Sequence, residues 1–214
     1  MAIISFRHKF IFIKTTKTAG TSLEIHLAAC CGAEDIVTPI APPNPGHIPR
    51  NYSVNGRAVY FNHMSASLVR SLQSDAFATF FKFCFERHPV DKCLSHFAML
   101  KNSRHHYAPG NPGTWAEYLD RGNFPIDTSK YVDESAGVES GKMIVDKIYR
   151  YEEIDDALKD ISLQTGIAYR ALRVREKSGF RIGVPSFDQV MGAPDERARI
   201  FAAFKSSLCL TPYT

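Results

Sequence analysis

The sequence lacks the features that mark membrane-spanning, secreted and disulfide-stapled proteins. No apolar run in its 214 residues approaches the roughly 18 residues that a membrane span needs. Arg7, His8 and Lys9 interrupt the opening apolar residues, and no small-residue cleavage site follows, so no signal peptide is expected. The five cysteines are odd in number and form no C-x-x-C pair, which argues against a disulfide framework or a zinc site. We therefore expect a cytoplasmic protein without a membrane span.

The chain also lacks a strong excess of charge of either sign. Its 26 Lys and Arg against 22 Asp and Glu give a formal net charge of +4. This small excess suits an anionic ligand, but it is too weak to indicate nucleic acid. No internal repeat or low-complexity tract interrupts the sequence, so we expect a single domain over residues 1–214.

Short β-forming runs alternate with segments of helical periodicity. Strands are predicted at residues 10–13, 58–61, 77–85 and 143–149, and helices at residues 21–29, 115–119, 154–163 and 198–208, with a further helix beginning at Pro89. This alternation predicts an α/β fold with a mainly parallel sheet. Residues 39–57 and 102–113 are rich in proline, glycine and polar side chains, and they are predicted to form loops of the kind that often bind substrates.

Residues 11–27, IFIKTTKTAGTSLEIHL, join the first predicted strand to a helix through a turn suited to an anion. Backbone amides at the start of a helix point toward such a ligand, and the helix dipole favours its negative charge. The amides would come from Thr18, Ala19, Gly20, Thr21 and Ser22. Gly20 would let the backbone approach the ligand closely, and Lys17 would bring a cation. Thr21 and Glu24 also fit a capping box, which marks a helix start.

Within this stretch, residues 14–22 form the turn, which is called the anion loop below. It is not a Walker loop, because the Walker lysine follows the second glycine whereas Lys17 precedes Gly20. No acidic strand end for magnesium is evident either, so the loop indicates a phosphate held without an ATP-type metal site. On spacing alone, an ordinary strand–helix turn remains an equal alternative.

A second candidate phosphate site follows the aromatic strand. Arg87-His88-Pro89 ends that strand, and Ser95 lies two turns into the next helix. The guanidinium of Arg87 offers a bidentate fork, and Ser95 offers a hydroxyl, so the two side chains could clamp a second phosphate.

Together these two motifs resemble the sulfotransferases that use 3′-phosphoadenosine 5′-phosphosulfate (PAPS). The sequence is more similar to their carbohydrate branch, which includes heparan sulfate 2-O-sulfotransferase, and to the bacterial relatives of that branch. It departs from the family pattern at Thr16, where proline is usual, at Ala19, where glycine is usual, and at Lys92, where arginine is common. An alanine at position 19 would crowd the loop if the backbone there needs a positive φ.

Three weaker likenesses extend the resemblance over roughly residues 10–212. Residues 61–66, FNHMSA, resemble the family segment that carries a histidine base, and residues 149–152, YRYE, resemble a family strand end. Residues 177–181, KSGFR, resemble its basic C-terminal loop.

The resemblance implies a P-loop-like three-layer fold, in which helices flank a central, mainly parallel sheet. It also implies metal-independent, in-line transfer of a sulfuryl group from PAPS to an acceptor hydroxyl. Lys17 would stabilise the leaving group and His63 would be the general base. The nucleotide would be held by Lys17, Thr18, Ala19, Gly20, Thr21, Ser22, Arg87, Ser95, Lys177, Ser178 and Arg181.

The identity of the acceptor is the least determined part of the predicted reaction. A carbohydrate hydroxyl leads by family likeness, while a small metabolite, a lipid or a tyrosine hydroxyl remain alternatives. Four side chains are candidates for a basic acceptor rim: Lys101, Arg104, His105 and His106. A plain solvated surface is an equal explanation for those four residues. A metal-dependent kinase and a non-catalytic nucleotide-binding protein are the rival functions.

Overall fold

A computed structural model describes residues 2–106, 108–133, 141–172, 181–211 and 213. Its strands are β1 (Ala2–Ser5), β2 (Phe10–Ile13), β3 (Ile36–Val37), β4 (Ser53–Val54), β5 (Arg57–Ala58), β6 (Phe81–Glu86) and β7 (Lys147–Arg150). Its helices are α1 (Gly20–Ala28), α2 (Ala66–Leu72), α3 (Ser74–Thr79), α4 (Pro89–Asn102), α5 (Trp115–Arg121), α6 (Ile154–Thr165), α7 (Phe187–Met191), α8 (Pro194–Ala203) and α9 (Lys205–Leu208). Within these residues, no helix has the length and apolar character to cross a membrane.

Five strands form one sheet in the order β3-β1-β2-β6-β7. The strands β2, β6 and β7 are parallel neighbours, whereas β1 runs antiparallel to both β2 and β3. Four of the five strands therefore share one direction. The prediction of an α/β fold with a mainly parallel sheet is confirmed at this level, while its likeness to P-loop folds stays a prediction.

The chain divides into two compact units, and a single domain over residues 1–214 stays a prediction. The sheet unit comprises Met1–Glu86 and Asp127–Glu176, and the helical unit comprises Arg87–Ile126 and Lys177–Thr214.

The core of the sheet unit is built from the aromatic residues of its parallel strands. Phe12 of β2 lies opposite Phe83 of β6, and their ring centroids are 5.5 Å apart. Phe85 of β6 packs on Tyr149 of β7 with centroids 5.4 Å apart. Aromatic side chains fit the pleated face of a sheet and bury large areas, so this ladder stabilises the strands that carry the anion loop.

The helical unit packs around the apolar face of α4. Val90, Cys93, Leu94 and Phe97 recur at helical spacing and are fully buried. They pack in one cluster with Trp115 of α5 and with side chains from the C-terminal helices. The predicted start of this helix at Pro89 is confirmed, since the fixed φ of proline suits the first helical position.

Three of the predicted strands are wrong in extent. The aromatic run at 77–85 is divided, because α3 takes residues up to Thr79 and β6 begins at Phe81. The strand predicted at 58–61 is reduced to β5, which pairs with β4 in an exposed two-residue hairpin outside the main sheet. The strand predicted at 143–149 contributes only its last residues to β7. The helix predicted at 198–208 is two helices, α8 and α9, which meet at Phe204.

Candidate functional site

The anion loop has an unusual backbone between β2 and α1. Lys17 has a φ of 63° and Ala19 a φ of 54°, so both adopt the left-handed conformation. This conformation costs an L-residue about 1–2 kcal/mol relative to glycine. Non-glycine residues held there concentrate at ligand-binding and catalytic sites, where the surrounding structure enforces the shape. The positive φ considered for Ala19 is therefore present.

The predicted capping box at the start of α1 is wrong. The N-cap residue is Ala19, which has no side-chain acceptor, and Thr21 lies inside the first turn. Glu24 is fully buried and accepts a hydrogen bond from the Lys14 ammonium at 2.9 Å. The first turn thus begins without a side-chain cap, which leaves its positive end suited to an external anion.

Gly20 is required by the protein itself. A Cβ atom at this position would lie 2.6 Å from Cε and 2.7 Å from Cγ of Lys14. The buried lysine stem runs against the helix start on its way to Glu24, and any larger residue would displace it. This reason for a glycine stands beside the one that the sequence suggested, close approach to a ligand.

Two threonines tether the loop to neighbouring chain segments. The Thr15 hydroxyl donates to the carbonyl of Phe85 at the end of β6, and it lies 2.9 Å from the Thr18 hydroxyl. The Thr16 amide donates to Oδ2 of Asp127 at 2.6 Å, and the Thr16 hydroxyl donates to Oδ1 at 3.0 Å. A proline at position 16 would have no amide to donate, so this departure from the family pattern has a structural use.

The remaining loop side chains differ in exposure. Thr18 and Ser22 are each 1% exposed, whereas Lys17 and Thr21 are partly exposed. The Thr18 hydroxyl already bonds within the loop, so its contribution to a ligand would come from its backbone amide.

His63 lies in the same unit and is linked to the anion loop through two residues that sequence reasoning missed. The Lys130 ammonium is 2.8 Å from Oδ1 of Asp127 and 3.3 Å from Nδ1 of His63. Asp127 is 2% exposed and is the residue that binds Thr16. One buried carboxylate, Asp127, thus contacts both the anion loop that carries Lys17 and the lysine that lies beside His63.

The His63 ring is neutral at physiological pH. Burial, and then positive charge that includes Lys130, lower the pKa of His63 to about 3. Its backbone φ of 61° is again left-handed, a conformation that is uncommon for non-glycine residues, although histidine adopts it more often than most of them. The turn containing Asp127 and Lys130 carries no motif, so only the fold could reveal it.

His47 lies in the same unit and, unlike His63, is not singled out by any sequence motif. It is 6% exposed, and within the described residues neither ring nitrogen has a hydrogen-bond partner. Burial lowers the pKa of His47, so this ring is also neutral. A buried polar group without a protein partner needs an explanation. The location of His47 in the proline-rich segment 39–57 is the signal that could have found it.

In the helical unit, the second predicted phosphate site is organised by Asp91. The Asp91 carboxylate accepts hydrogen bonds from Arg87, whose Nε and Nη2 atoms lie 2.6 Å and 2.5 Å from Oδ2. The other oxygen of this carboxylate, Oδ1, forms an ion pair with Arg181. Ser95 is partly exposed and lies one turn beyond Asp91 on the same face of α4. Arg87, Asp91, Ser95 and Arg181 are called the arginine cluster below. Lys177 and Ser178 lie outside the described residues.

Of the four residues predicted as an acceptor rim, Lys101 lies in the last turn of α4, and Arg104, His105 and His106 follow that helix. Lys101 donates to the carbonyl of Gly183 at 2.8 Å, and the His106 ring lies 2.9 Å from the Ser103 hydroxyl. Arg104 and His105 are exposed. Two of the four side chains therefore have partners within the protein, and a role in acceptor binding stays a prediction.

Comparison with models of known protein families gives no match, and comparison with curated proteins gives none either.

Proposed function

We propose that this chain is a sulfotransferase that moves the sulfuryl group of PAPS to an acceptor hydroxyl. The observation that carries the proposal is the conformation of the anion loop. Two non-glycine residues, Lys17 and Ala19, adopt left-handed conformations at a helix start without a side-chain cap, and hydrogen bonds of Thr15 and Thr16 to distant chain segments support that shape. Successive amides of such a turn make a concave nest for a phosphate-like group.

The proposed reaction requires the protein mainly to position the reactants and to stabilise the charge that develops. Sulfuryl transfer is an in-line displacement comparable to phosphoryl transfer, in which negative charge develops on the leaving phosphate. We assign the neutralisation of that charge to Lys17, whose backbone φ of 63° lies in the turn of the anion loop. The amides of residues 18–22 would hold the 5′-phosphosulfate, and His63 is the second catalytic candidate.

The arginine cluster supports the assignment of the nucleotide. A 3′-phosphate distinguishes PAPS from common adenine nucleotides, and paired guanidinium groups are well suited to bind a phosphate dianion. Arg87 and Arg181, both assigned to nucleotide binding from the sequence, meet on one carboxylate. Ser95 adds a hydroxyl on the same helix face. We propose that these side chains bind the 3′-phosphate.

Calorimetric titration with 3′-phosphoadenosine 5′-phosphate (PAP), without added metal, tests the proposal. PAP should bind, ADP should bind much more weakly, and Arg87→Ala should remove most of that difference. Equal binding of PAP and ADP, or no binding of either, would overturn the proposal. Magnesium-dependent ATP turnover would replace it with the kinase alternative.

The acceptor is proposed to be a carbohydrate. Transfer of radiolabelled sulfate from PAPS should be screened against unsulfated polysaccharides and oligosaccharides, with small phenols, lipids and tyrosine peptides in parallel. Transfer to a sugar hydroxyl supports the proposed class. Transfer restricted to one of the other acceptors would support the sulfotransferase proposal but contradict a carbohydrate as its acceptor.

A further inference from the structure

The contact between Lys130 and His63 determines where the imidazole carries its proton. An ammonium group has three donors and no acceptor. Since the Lys130 ammonium lies 3.3 Å from Nδ1, that nitrogen must be the acceptor, and the proton of the neutral ring must reside on Nε2. The 2.8 Å ion pair with Asp127 holds the Lys130 ammonium in place.

A ring in this state is poorly suited to remove a proton from an acceptor hydroxyl. Its Nδ1 lone pair is engaged by Lys130, and its Nε2 already carries hydrogen. Protonation of the ring would place an imidazolium beside the Lys130 ammonium in a partly buried site. A general base works best when its pKa lies near the operating pH, whereas burial and the nearby positive charge lower the pKa of His63 far below it.

We propose that His63 acts in sulfuryl transfer as a neutral hydrogen-bond donor through Nε2–H, and that Lys130 is the positioning residue that fixes this tautomer. The inference rests on the proposed function and replaces the base predicted for His63 by a donor. A neutral imidazole with a lowered pKa is known to serve as an electrophile in enzymes.

The connection to the anion loop indicates which charge the donor serves. Asp127 binds Lys130 on one side and both the amide and the hydroxyl of Thr16 on the other. One buried carboxylate therefore sets the positions of the imidazole and of the loop that carries Lys17. Positioning of this accuracy matters most for donors directed at charge that develops during the reaction. We assign the Nε2–H donor to the leaving phosphate, alongside Lys17.

The reaction balances without a protein base. The bond between sulfur and the bridging phosphate oxygen breaks, PAP departs with the electron pair, and a bond forms between sulfur and the acceptor oxygen. In a loose transition state the acceptor O–H bond is still largely intact, so early deprotonation contributes little. The hydroxyl proton becomes strongly acidic once its oxygen is bonded to sulfur, and solvent water takes it.

Nitrogen-15 NMR of the histidine rings tests the tautomer independently of any transferase activity. The His63 resonances, identified by their loss in His63→Gln, should report a neutral ring protonated at Nε2 from about pH 6 to about pH 8, where an ordinary histidine titrates. Lys130→Met should release the ring into a mixture of tautomers, and Lys130→Arg should restore the single form. A ring protonated at Nδ1, or one that titrates in this range, would overturn the inference.

Substitutions of His63 test the catalytic role. The amide of His63→Gln keeps a hydrogen-bond donor but cannot act as a base, so its turnover should stay within about tenfold of the parent. His63→Ala should lose about a hundredfold or more, as expected for an essential hydrogen bond to developing charge. If Gln is as inactive as Ala while both variants bind PAP normally, the donor role is wrong and the base role stands.

Lys130 needs a readout that a purely structural residue would not change. Lys130→Met should lower kcat while KM for PAPS changes little, and Lys130→Arg should recover much of the loss. The matched control is Lys159→Met, which removes an exposed, ion-paired lysine of the same unit. A loss that Arg does not recover, or an equal loss in the control, would contradict positioning by Lys130. If the parent protein binds no PAP, the proposed function fails, and the NMR result still decides the tautomer.

Discussion

The anion loop and the arginine cluster are both assigned to phosphate binding, yet they are built in opposite ways. In the anion loop the proposed binding groups are mainly backbone amides, and left-handed residues with side-chain and backbone tethers shape the turn that carries them. In the arginine cluster the proposed binding groups are side chains, and an internal carboxylate, Asp91, pairs with two of them.

This difference separates two ways to prepare a site for an anion. The anion loop is organised during folding, so its strain is compensated by the tertiary contacts of the sheet unit. The arginine cluster already contains an anion, and a phosphate must share the arginines with Asp91. Binding at the anion loop should therefore depend on buried residues that never touch the ligand, whereas binding at the arginine cluster should depend on the side chains themselves.

The largest effect is expected from the support beneath the anion loop. Glu24→Gln removes the carboxylate that accompanies the buried Lys14 ammonium, and breaking a buried ion pair costs about 3–5 kcal/mol of stability. Urea unfolding should show this loss. The double variant Lys14→Met, Glu24→Leu should recover much of it, because no buried charge is left. Stability unchanged in Glu24→Gln would show that the ion pair does not support the loop.

Lys17→Ala should separate binding from chemistry. Removing one group that stabilises developing charge lowers kcat by about 100- to 1000-fold, whereas PAP, which lacks the sulfuryl group, should bind nearly as before. Steady-state kinetics and calorimetry on the same variant measure the two effects, with Lys17→Arg as the charge-conserving control. Full turnover in Lys17→Ala would remove Lys17 from the mechanism.

Arg87→Ala should produce the opposite pattern in the arginine cluster. Loss of a charge-assisted contact to phosphate costs about 1.5–3 kcal/mol, so PAP affinity should fall about tenfold to a hundredfold. ADP binding should not change. Arg199→Ala, which removes an exposed arginine paired with Asp120 in the same unit, is the control. Equal losses for PAP and ADP would mean that Arg87 does not read the 3′-phosphate.

The smallest effect is expected from removing the backbone strain of the left-handed residue Ala19. Ala19→Gly should raise stability by about 0.5–1 kcal/mol, because glycine removes the left-handed penalty of about 1–2 kcal/mol but increases the entropy of the unfolded chain. Ala29→Gly is the matched control, since Ala29 has an ordinary φ of −65°. Thermal unfolding should show a gain only at position 19. Destabilisation there would indicate that the Cβ of Ala19 makes contacts that outweigh the strain.

Local sequence patterns predicted those elements whose residues act locally. Strand β2 and the beginning of α4 follow directly from a β-forming run and from a proline at a helix start. The capping box at Thr21 and Glu24 was wrong because Glu24 is recruited by Lys14, ten residues earlier in the chain. The strand predicted at 77–85 is too long because a short aromatic run suits the buried face of a helix as well as that of a strand.

The same limit applies to the candidate site. Lys17, Arg87 and His63 were found through motifs. Asp127 and Lys130 carry no motif, and their importance comes only from contacts with Thr16 and His63, which are distant in sequence. Tertiary contacts of this kind cannot be read from one sequence.

The bond between Thr16 and Asp127 spans 111 positions of the chain. It therefore has a consequence for synthesis on the ribosome, where the N-terminal part of a protein emerges first. A nascent chain that already contains β2 and the residues of α1 still lacks the carboxylate that holds the intervening turn. Contacts of such long range form late, because the intervening chain must first be brought together. The nucleotide binding that we propose should thus become possible only after residue 127 has left the exit tunnel, and C-terminally truncated chains that end before it should contain the motif without binding the nucleotide.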